Sequence, residues 1–494
     1  MRIGPFHFGY AATDDKGRRQ PPKTRVYHEA EILTKVRRLK LQSTAQEQVR
    51  NHALVAWMVR KHLDYVSKFH VSFRTGNKPL DTLVNRIFRW HGAPRNLDYG
   101  QRFGRDELFR LFELEKVVCG DAALLKLAGL KLQAIESDLI AKGTGAPETV
   151  NDSGLVEDNG RVLEYAICNR GANGSTPTFD HLEPADNVIF DAYWTRFSSQ
   201  FRGVSPLSTA INTVQDIHEG LEYNLVKGKM HALFGIALMR KADGTSGLGG
   251  AGGATAETEG ATATDTDTHL DLDPRTINIL DLAPGDDVKV LESGTPSFQF
   301  VEGSFLFIQI AMLALDIPVT AFDSRRSSFS ARIADLNEYE VACDSKRTKN
   351  RYVRQEYSDW LLASIWNTAG SPWRLGDIAD RAGMTLRDVQ ESVEWIPAGS
   401  PWLDKYRQIQ GDQLGIDIVL DNAIDACRRR GVDVFENIDK QAQVIAYAKK
   451  KGVPILSGSS GQRTVEEAVT SGSDKEGDGV TDGADKEGAG VTDE

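Results

Sequence analysis

The sequence predicts an α+β, helix-rich fold, and three stretches carry that prediction. From Ser205 the chain reads SPLSTAINTVQDIHEGLEYNLVKGKM, with Leu207, Ala210, Ile211, Val214, Ile217, Leu221 and Leu225 at helical spacing behind a capping serine and Pro206. Residues 328–368 contain neither Pro nor Gly, which predicts one helix of about 40 residues, about 60 Å long at the α-helical rise. The runs RVLEYAICN (161–169) and NVIFDAYW (187–194) are β-branched and aromatic and are bounded by Gly, Pro or Asp, as strands are.

In chain order, the N-terminal part is basic: residues 1–110 hold 22 Lys and Arg against 10 Asp and Glu, and 29–68 read as helices. The strands follow, then the helix from Ser205. Residues 244–269 are a Gly/Thr/Asp tract that buries too little to offset its backbone entropy, and 241–303 carry 12 acidic residues against 3 basic ones. From Ser304, FLFIQIAMLALDIP is apolar nearly all round apart from Gln309 and stops at Pro318, so it expects packing on several sides or against other subunits. The long helix is next. After Pro372, short helices separated by Gly383, Pro397, Gly399, Pro401 and Gly431 read as a compact helical segment ending near Pro454. The tail beyond Gly458 is polar, repeats DKEGDGVTD as DKEGAGVTD, and is expected to be disordered and acidic.

Composition excludes several classes. With 494 residues, 40% hydrophobic and 26% charged, the chain can bury about two to four cores. Cys119, Cys168, Cys343 and Cys427 lie far apart without C-x-x-C spacing, which supports neither a disulfide framework nor a zinc module. Met1 to Tyr10 lack the apolar core of a signal peptide, and the longest uninterrupted apolar run is too short to cross a bilayer, so a soluble chain with no membrane partner is expected.

Catalytic signatures are missing too: no G-x-x-x-x-G-K-[ST], H-E-x-x-H, G-x-S-x-G or EF-hand spacing occurs. Gly247, Gly249 and Gly252 fit G-x-G-x-x-G but lead into a polar tract rather than a helix that could hold a pyrophosphate. His52 and His62 share nearly one helical face, a spacing more often solvated or core than metal-binding. No cofactor, metal or enzymatic activity is expected. A competing reading comes from LGDIADRAGMTLRDVQESV (375–393), which has the cadence of a helix-turn-helix regulator. Its second helix carries one Arg against an excess of acids, which suits a plain helical hairpin better than a groove-reading element.

Two segments carry a resemblance: SQFRGVSPLSTAINTVQDIHEGLEYN from Ser199 and ALDIPVTAFDSRRSSFSARIADLNEYE from Ala314, followed by WIPAGSPWLDKYRQIQ from Trp395 and an RRGVD step at 429–433. In order and spacing these resemble the lambda-type portal family of tailed double-stranded DNA bacteriophages, over roughly residues 30–455. Lys405 departs from the pattern, standing where relatives often have Pro, and the 244–269 tract enlarges one region.

The resemblance implies an N-terminal arm (1–30), a wing (31–204), a first stem helix (205–231), a clip (232–302), a second stem helix (303–316), a tunnel loop (317–329), a long helix (330–366), a crown-like helical domain (367–455) and an acidic tail (456–494). It further implies a ring of about twelve copies joined head to tail. Double-stranded DNA would pass through the ring at a capsid vertex, with terminase, capsid protein and a head-completion or tail adaptor as partners, in the virion and, during assembly, the host cytoplasm. The loop residues expected to face DNA are Phe322, Asp323, Ser324, Arg325, Arg326, Ser327 and Ser328, with Arg332 behind them. Contact would be to phosphates without base reading, unless the arginines instead pair with Asp323 and Asp335. The expected stem residues are Leu207, Ile211, Val214, Ile217, Leu221, Phe305, Ile308 and Met312.

Overall fold

The computed structural model describes residues 26–170, 177–233, 236–240, 286–290, 297–366, 373–399 and 405–453. Most of the expected arm, the 244–269 tract and the acidic tail lie outside these. The chain divides into two compact units, the second beginning at Asp433.

The first unit opens with helices α1 (Glu29–Ile32), α2 (Lys35–Asn51) and α3 (Ala53–Val66), strand β1 (Phe69–Phe73), and helices α4 (Lys78–His91), α5 (Pro94–Leu97) and α6 (Arg105–Cys119). Two antiparallel three-stranded sheets follow. One orders β3 (Lys131–Ile135), β2 (Asp121–Leu127) and β7 (Val188–Ala192); the other orders β4 (Leu155–Asp158), β5 (Arg161–Asn169) and β6 (Thr178–Pro184). Helix α7 (Ile211–Leu233) leads to an antiparallel pair, β8 (Ile236–Arg240) with β9 (Asp286–Val290), and α8 (Phe298–Met312) returns. The long helix α9 (Phe329–Trp366) is next, then α10 (Leu375–Arg381), α11 (Leu386–Glu391), β10 (Val393–Pro397), α12 (Lys405–Asp417) and α13 (Ala423–Arg429). The described part of the second unit is α14 (Val434–Lys451), which Asp433 caps by accepting from Phe435 N at 2.8 Å.

The segment read as purely helical after Pro372 contains a strand. Strand β10 pairs antiparallel with β1, Phe69 opposite Pro397 and Phe73 opposite Val393, so chain ends more than three hundred residues apart close one ribbon. Five residues carry too little periodicity to reveal this strand, and its partner is remote. The ribbon brings Trp395 into the same core as Leu80, Phe88 and Phe109, together with Leu375, Ala379 and Val389 of α10 and α11. Residues 375–397 therefore share a core with the N-terminal helices.

Helix α9 runs through two cores. Tyr339 and Cys343 belong to one with α2, α3 and the ends of α7 and α8; Val353, Tyr357, Leu361, Leu362 and Ile365 belong to the other. Its buried positions recur every three or four residues, which places them on one face. Arg354 is buried on that face between the rings of Phe69 and Phe109, at 4.2 and 4.8 Å, and donates to Ser67 O at 2.7 Å. Burial pushes its guanidinium down to about 9.

Two buried histidines tie α9 to the rest. His91 Nε2 donates to Leu130 O at 2.7 Å, which leaves Nδ1 to accept from Tyr357 Oη at 2.7 Å. Burial holds His91 down at about 4, so it is neutral in the fold. His62 Nε2 lies 3.0 Å from Glu113, whose other oxygen accepts from Asn350 of α9 at 2.9 Å and pairs with Lys116 at 2.6 Å. Burial alone would raise Glu113, but Lys116 and His62 pull it to about 2; burial also lowers His62.

All three shifts make stability fall with acid. A histidine depressed in the fold takes up its proton more readily when unfolded, so its contribution is complete above about 6.5 and is lost as pH falls toward about 4. Glu113 adds a second loss from its ordinary 4.5 down to about 2. Urea unfolding across this range is expected to show stability declining from pH 6.5 downward. His91→Gln, which has no proton to take up there, flattens the upper part of the decline; an unchanged slope would refute the assignment.

Candidate functional site

The lead-in to α7 is built around one guanidinium. Arg202 is 1% exposed and clasps the fully buried carboxylate of Asp121 bidentately, Nε to Oδ2 and Nη2 to Oδ1, each at 2.7 Å. Its remaining donors go to Ser137 O at 2.7 Å, Ser137 Oγ at 2.9 Å, Ser153 O at 3.0 Å and Ile140 O. Asp121 also accepts from Gly203 N at 2.9 Å and from the Ser137 hydroxyl. Burial would raise this carboxyl, but Arg202 and these hydrogen bonds hold it below its ordinary range.

Glycine is required where the two backbones meet. Gly120 has φ +101°, and a Cβ there would sit 2.6 Å from the Gly203 carbonyl carbon; a Cβ at Gly203 would collide with the Gly120 carbonyl. Gln200 fixes the preceding turn, accepting from Thr195 N at 2.8 Å and donating to Tyr193 O at 3.0 Å. Ser205 donates to Val117 O at 2.7 Å and accepts from Leu207 N at 3.2 Å, capping a 3-10 turn (Pro206–Thr209) before the α-helix begins at Ile211.

The expected stem residues then divide. Leu207, Ile211, Val214 and Ile217 are buried at the root of α7, and Met312 is buried at the end of α8 with Ile308 partly buried beside it. Leu221 is exposed instead, as are Tyr223, Leu225 and Val226 further along α7. Helix α8 starts earlier than expected because Ser297 accepts from Phe300 N at 3.2 Å, and it gives way to a 3-10 turn at Leu313. The two helices pack closely where Phe300 faces Gly220, 3.6 Å from where a Cβ would stand. Phe305 lies on this helix between Gln309 and Glu302.

Among α8's described residues only Ala311 and Met312 are buried. Phe298, Val301, Leu306, Phe307, Ile310 and Leu313 are all exposed, Leu313 at 69%. Residues Phe298–Leu315 are long and apolar enough to cross a membrane, with a mean hydropathy of 1.6. This corrects the run-length expectation: Gln299, Glu302 and Gln309 interrupt the apolar runs without removing the segment's overall hydropathy.

The loop expected at 317–329 is turned by Asp316 in the left-handed region at φ +59°, whose carboxylate pairs with Lys346 of α9 at 2.8 Å. Two 3-10 turns follow, Val319–Ala321 and Ser324–Arg326. Phe322 lies edge-on to Trp57 of α3, ring centroids 5.8 Å apart. Asp323 accepts from Arg325 N at 3.0 Å and Nε at 3.2 Å, yet Arg325 remains 91% exposed. Ser324, Ser328 and Arg332 are exposed, and Ser327 is half-buried with its hydroxyl toward Ser324 O. The Arg326 side chain lies outside the described residues. Ser328 Oγ accepts from Ala331 N at 3.2 Å and so starts α9. The structure thus gathers the expected loop residues on one turn, with one of the arginines paired internally.

Several contributors carried no sequence signal. Trp57, Asp121, Ser137 and Lys346 meet their partners only through the fold. The hairpin of α10 and α11 is a core element: Thr385 and Asp388 form a capping box and Val389 is buried, while Arg387 is engaged by Glu391 at 2.8 Å. A DNA-reading regulator is not supported.

Comparison with known proteins follows this geometry. The family model described as "Phage portal protein, lambda family" matches residues 18–345. No curated protein matches the chain. Among solved structures, the chain is similar to one in the virion of a native gene transfer agent particle, at 14% identity and TM-score 0.42, over 80% of this chain and 93% of that one. Similar chains occur in the neck of the native particle computed with C12 symmetry (14%, 0.43) and of the empty particle computed with C6 symmetry (15%, 0.43), each over 80% of this chain and 93% of the other.

Two outcomes test the geometry. Asp121→Asn leaves Arg202 buried without its counter-charge and is expected to cost about 3–5 kcal/mol in urea unfolding. Trp57→Ala removes an edge contact worth about 0.5–1.5 kcal/mol and is expected to speed tryptic cleavage after Arg325 by several-fold. An unchanged cleavage rate would mean that Phe322 does not hold the loop.

Proposed function

The chain belongs to the lambda family of phage portal proteins, and from that premise we propose that its copies close into a ring whose channel conducts double-stranded DNA. The observation that carries this is the stem: an exposed apolar face on α8 together with exposed Leu221, Leu225 and Val226 on α7. An exposed apolar surface of this extent marks an interaction site. Two different faces, one on each stem helix, suit a head-to-tail contact that repeats until the ring closes, at about twelve copies.

In the ring the 317–329 loop would face the channel. Arg325, exposed although its carboxylate partner is beside it, and Arg332 at the start of α9 would offer each passing phosphate a weak, replaceable contact. Weak contact suits a conduit, because each phosphate neutralised strengthens binding through counterion release and would stall the duplex. A planar fork on a short turn positions against backbone and reads no base edge. Residues 31–204 would form the wing against capsid protein, and 232–302 the clip for terminase and later a head-completion or tail adaptor. Hydrolysis of nucleotide would belong to that terminase. Assembly would occur in the host cytoplasm and the product would reside at a vertex of the virion.

Native mass spectrometry with negative-stain imaging is expected to show rings with an axial hole. Leu306→Asp should abolish rings while leaving the helical circular-dichroism signal intact, because Leu306 is exposed in the single chain. Arg325→Glu with Arg332→Glu should keep the rings, weaken DNA retention and make its salt dependence shallower. Rings insensitive to Leu306→Asp, or DNA retention unchanged by the double reversal, would contradict the stem and loop assignments respectively.

A further inference from the structure

Beyond the stem, the described residues hold a second exposed apolar feature. Helix α12 ends at Asp417 and the chain turns sharply: Leu420 N and Asp421 N both donate to Gly415 O, at 2.9 and 3.1 Å, and Val419 N donates to Ile416 O at 3.1 Å. Val419 takes the left-handed conformation, φ +60°, that such a helix end usually assigns to Gly or Asn. A β-branched residue there is strained, and strain of this kind is found where a side chain is being presented. What it presents is apolar: Ile418, Val419 and Leu420 are 61%, 88% and 81% exposed. Asp421 holds the knuckle in place by pairing with Arg429 and capping Asn422 N at 2.9 Å. Asp417 stands exposed at its side.

A cleft of complementary character lies elsewhere on the same chain. It has a volume of about 650 Å³ and is walled by Tyr65, Leu336 and Val341 with Pro397 of β10, and Arg351 and Gln408 reach into it. Val341 is 74% exposed. Within it Arg351 Nε and Gln408 Oε1 are buried without a hydrogen-bond partner. An apolar wall beside an unanswered guanidinium donor asks for apolar side chains next to a carboxylate, and the stretch Asp417–Leu420 is such a segment. Neither surface is covered within the chain. Complementary surfaces at separate places on one chain form a head-to-tail contact, which a closed ring satisfies at every subunit.

We propose that the Asp417–Leu420 knuckle of one copy seats in the α9/β10 cleft of a neighbouring copy, as a subunit contact separate from the stem. The inference rests on the ring reading above. Its test uses full-length protein in a Cys427→Ser background, with Val419→Cys and Val341→Cys introduced together and singly, and a short bismaleimide. The double variant is expected to give a ladder of covalent oligomers on denaturing gels that neither single variant gives. Asp417→Arg should lower ring yield several-fold, and Arg351→Asp in the same chain should restore it. Wild-type rings together with no ladder, and with Val419→Asp rings as abundant as wild type, overturn this contact and leave the ring reading standing. Absence of rings in the wild type overturns both.

Discussion

The architecture depends on the meeting of Arg202 with Asp121. Bringing both charges out of water is costly, and an apolar pair of similar volume would often serve stability as well, so net stabilisation alone does not account for the arrangement. What the guanidinium supplies is direction. It clasps the first residue of β2 and reaches the carbonyls of Ser137, Ile140 and Ser153 in the segment between the sheets, while its own backbone is the lead-in to the stem. Arg38 of α2 reaches two of the same carbonyls, Ile140 O and Ser153 O. Two guanidiniums thus share the Asp121 carboxylate, and burial with the repulsion of Arg202 brings Arg38 down to about 9. With Gly120 and Gly203 in backbone contact, the stem can leave the wing in few orientations.

Helix α9 applies the same logic along its length. Its N-terminal turn ends the loop, Lys346 reaches back to Asp316 and to Leu315 O, and Arg347 donates to Tyr65 O at 2.7 Å. Further on, Asn350 and Arg354 join the buried Glu113 cluster and the ribbon of β1 and β10. A displacement of the loop must therefore be absorbed before Tyr339, because everything beyond it is interlocked. The turns between Asp316 and Ser328 provide that freedom, restrained by Phe322 on Trp57.

Local chemistry was legible in the sequence; long-range chemistry was not. The unbroken run without Pro or Gly became Phe329–Trp366, and RVLEYAICN became β5 at the same bounds, because each is decided by its own residues. The Q-x-R-G-x-S spacing was visible, yet its purpose was hidden in Asp121 and Gly120, some eighty residues upstream. Strand β10 was missed for the same reason: β1 is what makes VEWIP a strand. Helical spacing carried Leu221 along with Ile217, although one is exposed and the other buried. Periodicity names a face and does not say whether this chain or another covers it.

That distinction explains how polar and apolar groups are allotted. Inside, the chain hydrogen-bonds its buried charges with its own groups: Asp121 with Arg202, Glu113 with Lys116 and His62. Outside, it leaves the stem's apolar face and the 418–420 knuckle uncovered. The root of the stem, from Leu207 to Ile217 and at Met312, is closed into a core by the chain alone, so folding need not wait for a neighbour. Association can then draw on surface that folding left unused. Hydrophobic burial is non-directional, and the buried ionic hub supplies what it lacks, since a stem held at one angle to its wing offers the next copy one way to dock.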